Sequence, residues 1–186
     1  MRMVTRIVGA VIAGAGLMAA LALSATAAPR FVTGTVDANG GLNGRIAPST
    51  HTAKNYLFRD GSKISIDCRT KGTIVGGNAE WYLVAAEGDA NWVSARYVDL
   101  TGPAPRWCGD SGETISVKIT KDVWSRQGPS TLDKKRRLQH AGGGQEVLCY
   151  VYTAAGGSKR WVVTLEDGWV PASAVKTSKE IPFCQG

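Results

Sequence analysis

Apolar and polar positions in this chain alternate in short runs and never settle into a helical period. Ile64-Ser65-Ile66-Asp67-Cys68 alternates strictly. Glu146-Val147-Leu148-Cys149-Tyr150-Val151-Tyr152 does so less cleanly, and β-branched and aromatic residues dominate both runs. Gly76-Gly77-Asn78, Gly88-Asp89, Gly142-Gly143-Gly144 and Gly156-Gly157 punctuate the intervals as turns. The pattern predicts an all-β protein of many short strands, a small barrel or sandwich. The start of the chain breaks it. Behind Arg2 and Arg6 an Ala/Val/Leu/Ile/Gly stretch runs from Ile7 to Leu23, followed by Ser24-Ala25-Thr26-Ala27-Ala28. This reads as a secretory signal, residues 1–27, cut after Ala27. An uncleaved anchor is the competing reading, because the stretch reaches the lower length limit of a spanning helix. With no cysteine near the cut to take a lipid, the expected product is secreted, extracellular or cell-wall associated, with no stable membrane insertion after cleavage.

Self-similarity organises the remainder. Arg45-Ile46-Ala47-Pro48-Ser49-Thr50 returns 81 residues later as Arg126-Gln127-Gly128-Pro129-Ser130-Thr131. The frame then holds without a gap through Leu57 and Leu138, Gly61 and Gly142, and Cys68 and Cys149, giving eight identities in the 24 positions from Arg45 to Cys68. Further on, deletions shorten the offset, but Trp81 still answers to Trp161, Trp92-Val93 to Trp169-Val170, and Cys108 to Cys184. The chain therefore reads as a first module at 28–108, a polar linker at 109–112 and a second module at 113–186.

Four cysteines, all in the exported part, are best read as two disulfides. Three connectivities are possible. The two-module spacing favours Cys68 with Cys108 and Cys149 with Cys184, each a local loop. Modules this small bury only about 60% of their unfolded surface, so a crosslink in each makes thermodynamic sense. There is no C-x-x-C, and the two histidines, His51 and His140, lie in separate halves, so neither a metal nor any other cofactor is expected. The acids are scattered among glycine turns and no nucleophile elbow is present, so catalysis is not expected either. The net charge of +7 falls to +5 without the first 27 residues. The one concentrated run is Lys134-Lys135-Arg136-Arg137, expected in the loop after Pro129-Ser130-Thr131. Such a run serves as a solvated loop or docks on an anionic polymer. Export and the lack of a matching run in the first module argue against specific nucleic-acid recognition.

With these landmarks in place, both modules resemble the bacterial Src-homology-3-like (SH3b) domain. The opening signature appears as Leu42-Asn43-Gly44-Arg45-Ile46-Ala47-Pro48-Ser49 and as Val123-Trp124-Ser125-Arg126-Gln127-Gly128-Pro129-Ser130. A Leu-x-x-x-Gly turn, a strand into the first cysteine, an aromatic strand and a terminal Trp-Val follow in each. The whole is similar to the disulfide-bearing, two-module secreted proteins of high-GC Gram-positive bacteria. Trp124 stands where the signature usually has Asn, and Ala174 stands where the first module has Tyr97. The resemblance implies two tandem small SH3-like barrels and, more weakly, binding to cell-wall peptide, glycan or another protein.

The ligand-binding candidates are therefore aromatic and cationic. Trp124, Tyr150, Trp161 and Tyr82 could line a groove or stack on sugar rings. Arg45 and Arg126 recur where a guanidinium either pins the adjacent loop or holds an anionic group. Trp92 and Trp169 are assigned to the core, and Trp124 is the foremost surface candidate. The expected partner is a cell-wall polymer, with an extracellular protein as the alternative, and the chain is expected to be monomeric.

Overall fold

The computed structural model describes residues 31–86, 89–109, 114–154, 159–166 and 168–184. The expected signal segment and residues 110–112 of the expected linker lie outside the described residues. The first module contributes seven strands: β1 (Val32–Val36), β2 (Leu42–Arg45), β3 (Lys54–Phe58), β4 (Lys63–Val75), β5 (Asn78–Ala86), β6 (Asp89–Ser94) and β7 (Val98–Leu100). The second repeats them as β8 (Ile115–Ile119), β9 (Val123–Arg126), β10 (Lys135–Gln139), β11 (Gly144–Tyr152), β12 (Arg160–Thr164), β13 (Gly168–Pro171) and β14 (Val175–Lys176). Their sheet orders are β3-β2-β6-β5-β4-β1-β7 and β10-β9-β13-β12-β11-β8-β14, strand for strand the same. All-β architecture, duplication and strand positions thus agree with the periodicity.

The local causes repeat too. Gly61 and Gly142 turn the chain into β4 and β11 at φ of 73° and 88°, a region open mainly to glycine. Beside them Asp60 accepts the Ala38 amide and Asp122 the Ala141 amide. A bulge then interrupts each long strand. Ile66 pairs with Val84 but Cys68 with Leu83, and Val147 pairs with Thr164 but Cys149 with Val163. Two steps on one strand against one on its partner reverse the alternation, so Ile66 and Cys68 face opposite sides of the sheet. Ile66 joins Val36, Tyr82, Val84 and Val93 in the first module's own core, and Val147 joins Val117, Val162 and Val170 in the second's.

Cys68 and Cys149 are aimed instead at the other module. A third cluster of buried side chains holds Cys68, Trp81, Leu83, Trp92 and Cys108 from one sheet against Cys149, Val151, Trp161, Val163, Trp169 and Cys184 from the other. The modules are docked face to face. A parallel bridge lays each module's last segment beside the strand carrying its first cysteine, Arg69 with Trp107 and Tyr150 with Phe183. That placement closes the disulfides Cys68–Cys108 and Cys149–Cys184, the local pairs favoured by spacing. The contact is reciprocal: Cys68 Sγ lies 3.9 Å from the Cys184 carbonyl oxygen and Cys149 Sγ 3.8 Å from that of Cys108.

Polar ties join the two faces. Trp169 Nε1 donates across the interface to the Lys71 carbonyl at 2.7 Å. Thr73 Oγ1 donates to Asp133 Oδ1 at 2.6 Å, and His51 Nδ1 lies 2.9 Å from the same oxygen. Asp133, whose side chain is wholly buried, occupies the repeat position of Thr52. Gly72 sits amid these ties because a Cβ there would fall 2.1 Å from the Pro48 carbonyl oxygen and 2.6 Å from Trp81.

Candidate functional site

The residues nominated from the sequence separate into three environments. Arg45 Nη1 donates to the Thr52 carbonyl at 2.6 Å, and Arg126 Nη1 to the Asp133 carbonyl at 2.7 Å. Both guanidiniums therefore pin the loop that follows β2 or β9, the first of the two roles considered for them. Tyr82 and Trp161, nominated as ligand-binding, are each only 5% exposed. Tyr82 belongs to the first module's core and Trp161 to the inter-module cluster, so neither forms a surface groove. Burial, aided by the Glu80 charge, raises the Tyr82 phenol above its ordinary pKa.

Tyr150 is half-buried in a cluster with Tyr152 and Phe183, whose ring centroids each lie 5.3 Å from its own. Its hydrogen bond to Tyr152 raises its pKa, and the Arg160 guanidinium stands 5.4 Å from its ring. Trp124 is 38% exposed on β9, with Lys135 Nζ 5.1 Å from its ring centroid.

The charge run departs from expectation. Only Lys134 precedes the strand; Lys135, Arg136 and Arg137 belong to β10, at the end of the second sheet. The loop is shorter than its sequence suggests, because Arg126 and the Ser130 turn fold it tightly and pairing resumes at Lys135 opposite Arg126. Strand geometry also divides the run, since successive side chains point to opposite faces. Lys135 lies over Trp124, whereas Arg136 lines a cleft between the modules.

That cleft was not anticipated from the sequence. It encloses about 240 Å³, with Trp107, Leu148 and Val163 among its apolar walls and Ile74 and Leu165 at its lip. Lys71, Gln127, Arg136 and Glu166 supply polar groups. The first module contributes the Trp107 wall and the far end of β4, and the second contributes β11, β12 and Arg136. Docking creates the cleft.

The trio His51, Asp133 and Thr73 superficially resembles catalytic machinery, but its order is wrong for nucleophile activation. In a Ser-His-Asp arrangement the imidazole stands between hydroxyl and carboxylate. Here the carboxylate stands in the middle, and the Thr73 proton is given to Asp133 rather than to a base that returns it to substrate. Its role is to join the modules. Among the described residues no three His, Cys, Asp or Glu side chains gather as a metal ion would require, and no helix is long and apolar enough to cross a membrane. The two formed disulfides suit an oxidising compartment.

Comparison with known proteins adds little. No family model and no curated protein matches the chain. Among solved structures it is similar to NlpC2 from Trichomonas vaginalis, at 12% identity and a TM-score of 0.30, over 80% of this chain and 48% of that one. NlpC1 from the same organism aligns at 12% identity and 0.28, over 87% and 51%. The chain spans about half the length of those structures, and scores this low carry no argument about fold or activity.

Proposed function

We propose that this chain is a secreted, noncatalytic binding protein that engages cell-wall polymer, peptidoglycan peptide or glycan, through the exposed face of β9 and β10. The observation that carries the reading is the pairing of Trp124 with Lys135 at the border of the second sheet. An indole offers a flat apolar surface to a sugar ring or peptide backbone, and cations beside it attract the anionic groups of wall polymers. Lys134 extends the positive field. The resemblance of the module signature to wall-targeting SH3-like domains points the same way. The alternative, a protein partner adding a strand to β10, is disfavoured because successive Lys and Arg residues on an edge oppose strand addition.

The test is co-sedimentation of residues 28–186 with purified Gram-positive sacculi, with and without their anionic polymers, across a salt series. Saturable pelleting is expected. Trp124→Ala should weaken the salt-resistant part about threefold to tenfold, the range for one aromatic contact, and Lys134→Gln with Lys135→Gln should remove the salt-sensitive part. Absence of pelleting, or pelleting indifferent to all three substitutions, overturns the proposal.

A further inference from the structure

We infer that the inter-module cleft is a second binding site, one that receives the apolar C-terminal residue of a short extracellular peptide, with its side chain between Trp107, Leu148 and Val163 and its carboxylate on Arg136. Three observations lead there.

The cleft is built rather than incidental. One face of the Trp107 ring is covered by the Arg69 guanidinium, 4.3 Å from the ring centroid. Arg69 is itself held by Glu80 at 3.1 Å, and the Trp107 backbone is bridged to β4. The indole is therefore fixed before any ligand arrives, which removes ordering cost from binding.

Cations predominate among the described charges that line it. Arg69 is paired with Glu80 and Arg106 with Asp67, whereas among the described residues neither Arg136 nor Lys71 has an ion-pair partner. Among the described lining residues, Lys71 and Arg136 stand against the one carboxylate of Glu166, a positive balance. The planar fork of an arginine suits a carboxylate bidentately.

Size selects the occupant. At about 240 Å³ the cleft falls below the usual 300–1,000 Å³ range of drug-sized ligands and is far too small for a polymer segment. It suits one amino-acid residue. The C-terminal residue of a peptide alone presents an apolar side chain and a carboxylate a few ångströms apart. Because Trp107 and Lys71 come from one module and the remaining named groups from the other, such a ligand would bridge the docked pair.

The experiment needs no wall material, so its outcome is independent of the wall-binding proposal. N-acetyl-leucine and its C-terminal amide are titrated into residues 28–186 and followed by two-dimensional NMR. For about twelve heavy atoms a dissociation constant on the order of 1 mM is expected. The acid should shift the Trp107 indole and the Leu148 and Val163 methyl signals saturably, and the amide should bind at least about tenfold more weakly, the loss of one charge-assisted contact. Arg136→Gln should reduce the acid to the level of the amide, whereas Lys118→Gln, an equal change of charge away from the cleft, should leave it unaltered. Running the D and L forms in parallel identifies the source, a D preference indicating envelope peptides and an L preference protein chains. Equal binding of acid and amide, shifts confined to residues outside the cleft, or no saturable shift at about 20 mM overturns the inference.

Discussion

Replacing Trp169 by Phe probes whether the two sheets behave as one body. Trp169 is fully buried, and its indole N–H reaches out of its own module to the Lys71 carbonyl at 2.7 Å. The phenyl ring keeps most of the packing but removes the donor and roughly 40 Å³ of side chain. The void costs about 1 kcal/mol at 24 cal/mol per Å³. The carbonyl deprived of its partner costs about 1–3 kcal/mol. A total of about 2–4 kcal/mol corresponds to a fall in Tm of roughly 5–15 °C for a chain of this size. The decisive reading is where stability is lost. Hydrogen exchange followed by NMR should show the amides of Thr70–Val75, in the first module, losing protection together with those of β12 and β13 in the second, and unfolding should remain a single transition. If β4 protection stays at the wild-type level while the second module loosens, or if two transitions appear and only one moves, the modules fold independently and the docking argument fails.

Two further substitutions test local causes. Gly72→Ala should destabilise by about 1–3 kcal/mol, the usual cost of overpacking, because its Cβ would fall on the Pro48 carbonyl oxygen and the Trp81 indole; a thermal melt indistinguishable from wild type would show that β4 shifts freely. The Glu146 carboxyl is held below the usual carboxylate range by the hydroxyls of Ser116 and Thr114, so its contribution to stability is complete above that range and fades as pH falls through the depressed value. Ser116→Ala should move the NMR titration midpoint of Glu146 upward, and the stability gap between wild type and variant should shrink below about pH 4. A midpoint that does not move would assign the depression to another group.

The strands and the disulfides could be read in the sequence because both are local or repeated. An offset of 81 residues carries Ile66 and Cys68 onto Val147 and Cys149, and these pairs occupy matching positions in matching sheets. Which face each residue presents was harder to read. Alternation counted from Ile64 puts Cys68 on the same side as Ile66, and only the bulge between them, which leaves no plain mark in composition, sends it to the other. The burial of Tyr82 and Trp161 is hard to read for a related reason: aromatic content marks a strand without saying which side is wet. A clue was present in Trp81-Tyr82-Leu83-Val84 and Trp161-Val162-Val163, where unbroken apolar runs signal strands buried on both faces. A solitary small sheet has no use for such runs, but docked sheets do. The polar ties gave no comparable clue. His51 and Asp133 are 82 positions apart and Thr73 and Asp133 are 60 apart, and neither separation has a periodic signature. Trp107 sits in an irregular segment after β7, where no pattern announces a wall.

Surfaces that meet like with like, as these two disulfide-bearing faces do, are the hallmark of a symmetric dimer. A dimer of separate chains comes apart on dilution. Placing both halves on one chain, with only a few residues between Cys108 and Ile115, holds each at an effective concentration on the order of millimolar toward the other, however thinly the protein is spread. The same tether frees the halves from having to match. Asp133 makes one contact with Thr73 and His51, whereas Thr52 at the counterpart position donates to the Ala47 and Ser49 carbonyls of its own loop; a symmetric pair would have to form the aspartate contact twice or forgo it.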